Sequence, residues 1–124
     1  MSVGMERIVY VVDDDEPVRE STCALLEAEG ISAKPYATAK AFLTDFDARN
    51  AGCLILDVHM PEMSGLELLS LLRARGVMTP TLILTGRRDL VINQMAKRAG
   101  ALVMLDKPPR DDELLRLVKT ALAS

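Results

Sequence analysis

Asp57 closes a run of apolar residues, Cys53-Leu54-Ile55-Leu56, and leads into Val58-His59-Met60-Pro61. A carboxylate in that place can attack phosphorus and carry it as an aspartyl phosphate. It can also share a hard cation with other oxygens. Three more acids, Asp13-Asp14-Asp15, end a second apolar run, Ile8-Val9-Tyr10-Val11-Val12. Thr85 ends a third, Thr81-Leu82-Ile83-Leu84, and Lys107 follows shortly after a fourth, Leu102-Val103-Met104-Leu105. Phosphoryl transfer uses these group types: an oxygen nucleophile, a donor to the phosphoryl oxygens and a counter-charge.

Taken singly, each group has a plainer reading. The acids at 13 to 15 can cap a helix ahead of Pro17. Asp57 can be a strand-end turn residue, and Thr85 before Gly86 a common turn. Lys107 before two prolines reads as a solvated loop charge. His59 reads as a loop side chain rather than a metal ligand. Met63, Met95 and Met104 read as core filler.

What gives the set weight is the pattern of elements that must position it. Met1 to Glu6 is a short lead-in to a strand at 8–12. A helix follows, with Pro17 in its first turn, Val18, Thr22, Leu25 and Leu26 on one face, and Gly30 closing it. Residues 31–36 form a weaker strand whose Pro35 cannot join a ladder on both sides, which assigns it to a sheet edge. Thr38 caps a helix carrying Phe42, Leu43 and Phe46, and Asn50-Ala51-Gly52 is the turn into the strand ending at Asp57.

Ser64 and Glu67 form a capping box for a helix of Leu66, Leu68, Leu69 and Leu72 that ends at Gly76. Thr81 to Leu84 is the fourth strand. Asp89 caps a helix carrying Leu90, Ile92, Met95 and Ala99, with Lys97 and Arg98 in its last turn. Leu102 to Leu105 is the fifth strand. Asp111-Asp112-Glu113 open a last helix through Leu114, Leu115, Val118 and Leu122.

Strand and helix thus alternate five times. The expected fold is α/β: a flavodoxin-like, doubly wound, five-stranded parallel sheet with five helices on both faces, joined by right-handed crossovers. Strand order 2-1-3-4-5 places the Pro35 strand at an edge and makes strands 1 and 3 neighbours. Asp13, Asp14, Asp57, Thr85 and Lys107 then converge on one carboxyl edge, where ligands of such sheets bind. Carboxylates so close repel unless one holds a proton or a cation joins them. Hard oxygen ligands suit Mg²⁺, and Mg²⁺ with Lys107 would offset the charge of a transferring phosphoryl group.

Composition narrows the classes. The chain has 124 residues, 49% of them hydrophobic, which is enough for one real core. A net charge of -3 and the lack of a Lys/Arg stripe argue against direct nucleic-acid binding. Cys23 and Cys53 fit no metal or redox spacing and read as reduced core thiols of a cytoplasmic protein. No run reaches membrane-spanning length, and no signal peptide is read.

Together the motifs VVDDDEPVR at 11–19, LILDVHMPEMSGLELL at 54–69, LTG at 84–86, AGA at 99–101 and DKP at 106–108 resemble the receiver domain of bacterial two-component response regulators. The resemblance covers essentially the whole chain. It is strongest toward receivers of nitrogen-fixation-type regulators with a helix-turn-helix output domain. It implies one receiver domain over 1–124, with the output domain absent from this chain.

The resemblance further implies that Asp57 is the phosphoacceptor and that Asp14 binds the metal directly. Asp13 would act largely through water, and His59 would lend its backbone carbonyl. Mg²⁺, or Mn²⁺ in its place, is the implied ion. Thr85 matches the hydroxyl that moves toward the phosphoryl group, Lys107 the lysine that pairs with it, and the Lys107–Pro108 bond is expected to be cis. Position 104 is usually aromatic and acts as a switch; Met104 departs from that, as does Pro109 after Lys-Pro.

A sensor histidine kinase is the implied donor. The face made by the fourth helix, fifth strand and fifth helix would control a C-terminal DNA-binding domain or a phosphorylation-dependent homodimer. Catalysis is expected to extend only to the chain's own phosphorylation and dephosphorylation. A metal-dependent phosphotransferase or phosphatase with an aspartyl-phosphate intermediate is the alternative. It would need a second acid close after the nucleophile, where Val58 and His59 stand, or a cap domain. A nucleotide binder would need a Gly-rich phosphate loop, and no strand here leads into one.

Overall fold

The computed structural model describes residues 7–123. The lead-in Met1 to Glu6 lies outside them. Along the chain come β1 (Ile8–Val12), α1 (Glu16–Ala28), β2 (Ala33–Tyr36), α2 (Ala39–Asp45) and β3 (Ala51–Asp57). They are followed by α3 (Gly65–Ala74), β4 (Thr81–Thr85), α4 (Leu90–Ala99), β5 (Val103–Asp106) and α5 (Asp111–Leu122). The strands form one parallel sheet in the order β2-β1-β3-β4-β5. Pro35 sits on edge strand β2, as its missing N–H requires.

Side chains alternate across each strand and so feed two cores. On one face Tyr10, Val12, Leu54, Leu56 and Ile83 pack with Phe42 of α2 and Leu66, Leu68, Leu69 and Leu72 of α3. On the other, Val9, Val11, Ile55, Leu82 and Leu84 pack with Leu26 of α1 and Leu114 and Val118 of α5. The central strands are covered on both sides, which is why their sequences are continuously apolar rather than alternating. Each fully buried leucine contributes about 2 kcal/mol. The chain's four aromatic rings, Tyr10, Tyr36, Phe42 and Phe46, all meet at the β1–β2–α2 corner.

Helix ends follow local chemistry. Asp15, Thr38, Ser64 and Asp89 each accept a backbone N–H at the start of α1, α2, α3 and α4. Ser64 and Glu67 complete the reciprocal capping box. At the other end of α4, Arg73 of α3 donates to the carbonyls of Val77, Thr79 and Gly100 at 2.9 to 3.0 Å. That arginine pins the end of α4 to the α3–β4 connection.

Three expectations need correction. Ala51 and Gly52 are not a turn but the start of β3, drawn in by pairing of Ile8 with Ala51. A Cβ at Gly52 would come within 2.4 Å of Leu122 Cδ2, so that side chain would have to shift. Met95 is not core filler: it is 48% exposed, and Leu90 is 76% exposed. The helical period was legible, but α4 turns Ile92, Ala96 and Ala99 toward the core and leaves Leu90, Val91 and Met95 outside. The fifth strand runs Val103–Asp106, and Leu102 is exposed. Met63 and Met104 do pack against the core.

Candidate functional site

Register does the assembling. Val12 pairs with Leu56 across β1 and β3, so the residues that follow, Asp13 and Asp57, emerge side by side. Asp57 pairs with Leu84 across β3 and β4, which puts Thr85 at the same edge. Thr85 pairs with Asp106, and Lys107 follows. Four strands thus deliver the residues singled out from the sequence to one place.

Carboxylate oxygens of Asp13, Asp14 and Asp57 lie within 4.8 Å of one another. Asp13 and Asp57 are buried, at 1% and 2% exposure, while Asp14 faces solvent. Lys107 Nζ donates to Asp13 Oδ1 at 2.7 Å. It also forms ion pairs with Asp57 Oδ2 at 3.2 Å and with Asp15 Oδ2 at 3.9 Å. Asp13 Oδ2 and Asp57 Oδ2 are buried without a hydrogen-bond partner. These two buried oxygens, close to the solvent-open carboxylate of Asp14, make a donor set that a hard divalent cation fits. The Lys107–Pro108 bond is cis.

Burial pushes the Asp57 carboxyl up to about 7, helped by the charge of Asp13 and by Asp14, while Lys107 pulls against them. Burial alone would lower the Lys107 pKa, but its pairing with Asp13 and Asp57 holds it above the ordinary value. The arrangement therefore lacks positive charge: one ammonium serves several carboxyls.

The loops around the site are held closely. The Gly65 N–H donates to Val58 O at 3.0 Å, drawing the start of α3 onto the end of β3. A Cβ at Gly65 would fall 2.1 Å from the Asp57 carbonyl oxygen, so only glycine fits. His59 is exposed in the loop between them. Thr85 Oγ1 donates to Arg87 O at 3.0 Å and accepts from Arg87 N at 3.1 Å. Met104 is half-buried on β5, and its carbonyl accepts from Arg88 at 2.7 Å.

Some neighbours of the site were not legible as such. Asp15 both caps α1, accepting from Val18 N, and approaches Lys107 at 3.9 Å. Arg19 donates to the Asp13 carbonyl at 2.8 Å and fixes the turn after β1. No local pattern marks it, because its partner is a main-chain oxygen exposed only by the fold.

A family model described as the response regulator receiver domain matches residues 9–119. The response regulator protein TmoT of Ectopseudomonas mendocina is 40% identical over 117 residues, covering 94% of this chain and 53% of that protein. The transcriptional regulatory protein FixJ of Azorhizobium caulinodans is 40% identical over 114 residues, covering 92% of this chain and 54% of its own. Among solved structures, the response regulator StyR superposes with a TM-score of 0.89 at 35% identity, over 96% of this chain and 60% of that one. The chain spans about half the length of the curated relatives it matches.

Proposed function

This chain belongs to the response regulator receiver domain family, and from that premise we propose that Asp57 takes a phosphoryl group from a sensor histidine kinase. The observation that carries the proposal is the meeting of buried Asp57 with Asp13, Asp14 and Lys107 at the end of β3. An Asp57 carboxylate oxygen bonds to phosphorus as the bond to the donor imidazole nitrogen breaks, and that electron pair returns to the imidazole. Attack by water later releases phosphate and restores the carboxylate. Asp57 must be ionised to react, and Lys107 favours that form. The planes of β1 and β3 hold the acids in place, so little reorganisation precedes transfer.

Asp14, Asp13, Asp57 and the His59 carbonyl would hold Mg²⁺ or Mn²⁺, which supplies charge neutralisation for the transferring group. Thr85 then donates its hydroxyl to a phosphoryl oxygen and Lys107 pairs with another. Both moves draw on the loop between β4 and α4, and Met104 sits where β5 responds. Phosphorylation adds nearly two negative charges, and the face of α4, β5 and α5 shifts toward its active arrangement. Exposed Leu90, Val91, Met95 and Leu102 give that face apolar surface for a phosphorylation-dependent homodimer.

Residues 1–124 act as one receiver unit in a cytoplasmic regulator, in front of a DNA-binding output domain. The half-length match to a transcriptional regulatory protein supports that part. No helix among the described residues is long and apolar enough to cross a membrane. The activity is confined to the chain's own phosphate, which separates it from a phosphatase acting on other substrates. Incubation with an acyl-phosphate donor and Mg²⁺ tests this by intact mass. One added phosphate that hydroxylamine removes is the expected result. Continuous turnover of donor without a phosphorylated chain contradicts it.

A further inference from the structure

Residues 86–89 join β4 to α4 and carry two arginines that the chemistry above does not use. Arg88 reaches to edge strand β5, where Nη2 donates to Met104 O at 2.7 Å. Its Nε stands 3.4 Å from Asp106 Oδ1. The Thr85 hydroxyl gives its proton to the Arg87 carbonyl at 3.0 Å. That carbonyl and the Arg88 nitrogen belong to one peptide unit, which is planar and turns as a body. Anchoring the Arg88 side chain on β5 therefore restrains the oxygen that occupies Thr85. A hydroxyl has one proton to donate. While Arg87 holds it, none is left for an oxyanion on Asp57.

We propose that Arg88 is a positioning residue that keeps the Thr85 hydroxyl committed to the Arg87 carbonyl, so that release of Arg88 from Met104 and Asp106 accompanies phosphoryl binding. The inference rests on Asp57 being the phosphoacceptor. Turning the 87–88 peptide frees the Thr85 hydroxyl and pulls the guanidinium off β5 in the same motion. The contact is well suited to yielding. Arg88 is 41% exposed and Asp106 79% exposed, so water replaces the lost pairing. Exposed pairs of this kind shift equilibria by severalfold rather than by orders of magnitude.

The test is binding of beryllofluoride with Mg²⁺ to the chain, followed by amide NMR. Arg88→Ala and Arg88→Gln are expected to bind roughly three- to fivefold tighter than the parent. In a Thr85→Val background, the same substitutions should give no gain, because no hydroxyl remains to release. Unchanged or weaker binding by both arginine variants overturns the proposal. So does an equal gain in the Thr85→Val background, since the arginine would then act independently of Thr85. If the parent fails to bind, or Asp57→Asn binds as tightly, the phosphoacceptor reading itself is wrong.

Discussion

The two sides of the site differ in how they are built. The β3–α3 side is anchored: Asp57 ends a buried strand, Gly65 presses α3 against its carbonyl, and Ser64 and Glu67 cap the helix from both directions. Leu66, Leu68, Leu69 and Leu72 then bury the helix deeply. The β4–α4 side is lightly held. Only Ala96 of α4 is buried, Leu90 and Val91 face solvent, and the preceding loop is tied to β5 through exposed Arg88. Arg73 fixes the far end of α4. Phosphorylation of Asp57, as proposed, would meet one wall that is deeply packed and one that is lightly held. The contrast would let the proposed nucleophile stay fixed while the surface beside it moves.

The contrast can be broken most sharply at Gly65. Gly65→Ala sets a methyl group against main chain that cannot yield, and about 3 kcal/mol or more of stability should be lost in a denaturant titration. A loss under 1 kcal/mol would mean that α3 is not pinned to β3 as described.

Next in size is the proton on Asp57. Folding raises its pKa from 3.8 to about 7. The folded chain therefore keeps a proton that the unfolded chain gives up. Stability from this group is fully present below about pH 4 and is lost as pH rises through about 7. Asp57→Asn escapes that loss. Without added cation it should equal the parent near pH 4 and be clearly the more stable of the two above pH 8, read by thermal melts across pH. Saturating Mg²⁺ should shrink the difference by favouring the ionised carboxylate. A pH-independent difference would show that burial and Asp13 do not govern this group.

Smaller still, Ser64→Ala removes the capping hydroxyl of α3 and should lose about 1 kcal/mol. The smallest effects belong to the other side. Leu90→Ala and Met95→Ala should each change stability by less than about 0.5 kcal/mol. Amide exchange in α4 should outpace that in α3. Equal protection of the two helices would erase the distinction between the walls.

Much of this was legible in the chain itself, for physical reasons. Short, β-branched apolar runs bounded by turn signals read as strands covered on both faces, and a strand-end carboxylate must leave the sheet at its carboxyl edge. Pro35 selected the edge strand, and that choice made Asp13 and Asp57 neighbours. What stayed hidden depended on approach rather than pattern. Periodicity identifies α4 as a helix but does not say how much of its apolar side the fold leaves uncovered, so Met95 was misread as core. Gly52 looked like a turn because its close neighbour, Leu122, comes from the far end of the chain. Arg19, Arg73 and Arg88 each bond main-chain carbonyls that only the fold brings within reach. Position 104 remains instructive: all the aromatic rings lie at the β1–β2–α2 corner, and β5 carries a flexible methionine.

Which carboxylate takes the phosphoryl group is open to direct measurement. Treatment with an acyl phosphate and Mg²⁺, followed by borohydride reduction and peptide mapping, identifies it. Reduction confined to Asp57, and absent when Mg²⁺ is withheld, is the predicted result. Reduction at Asp13 or Asp14, or at no acid of this cluster, would contradict it.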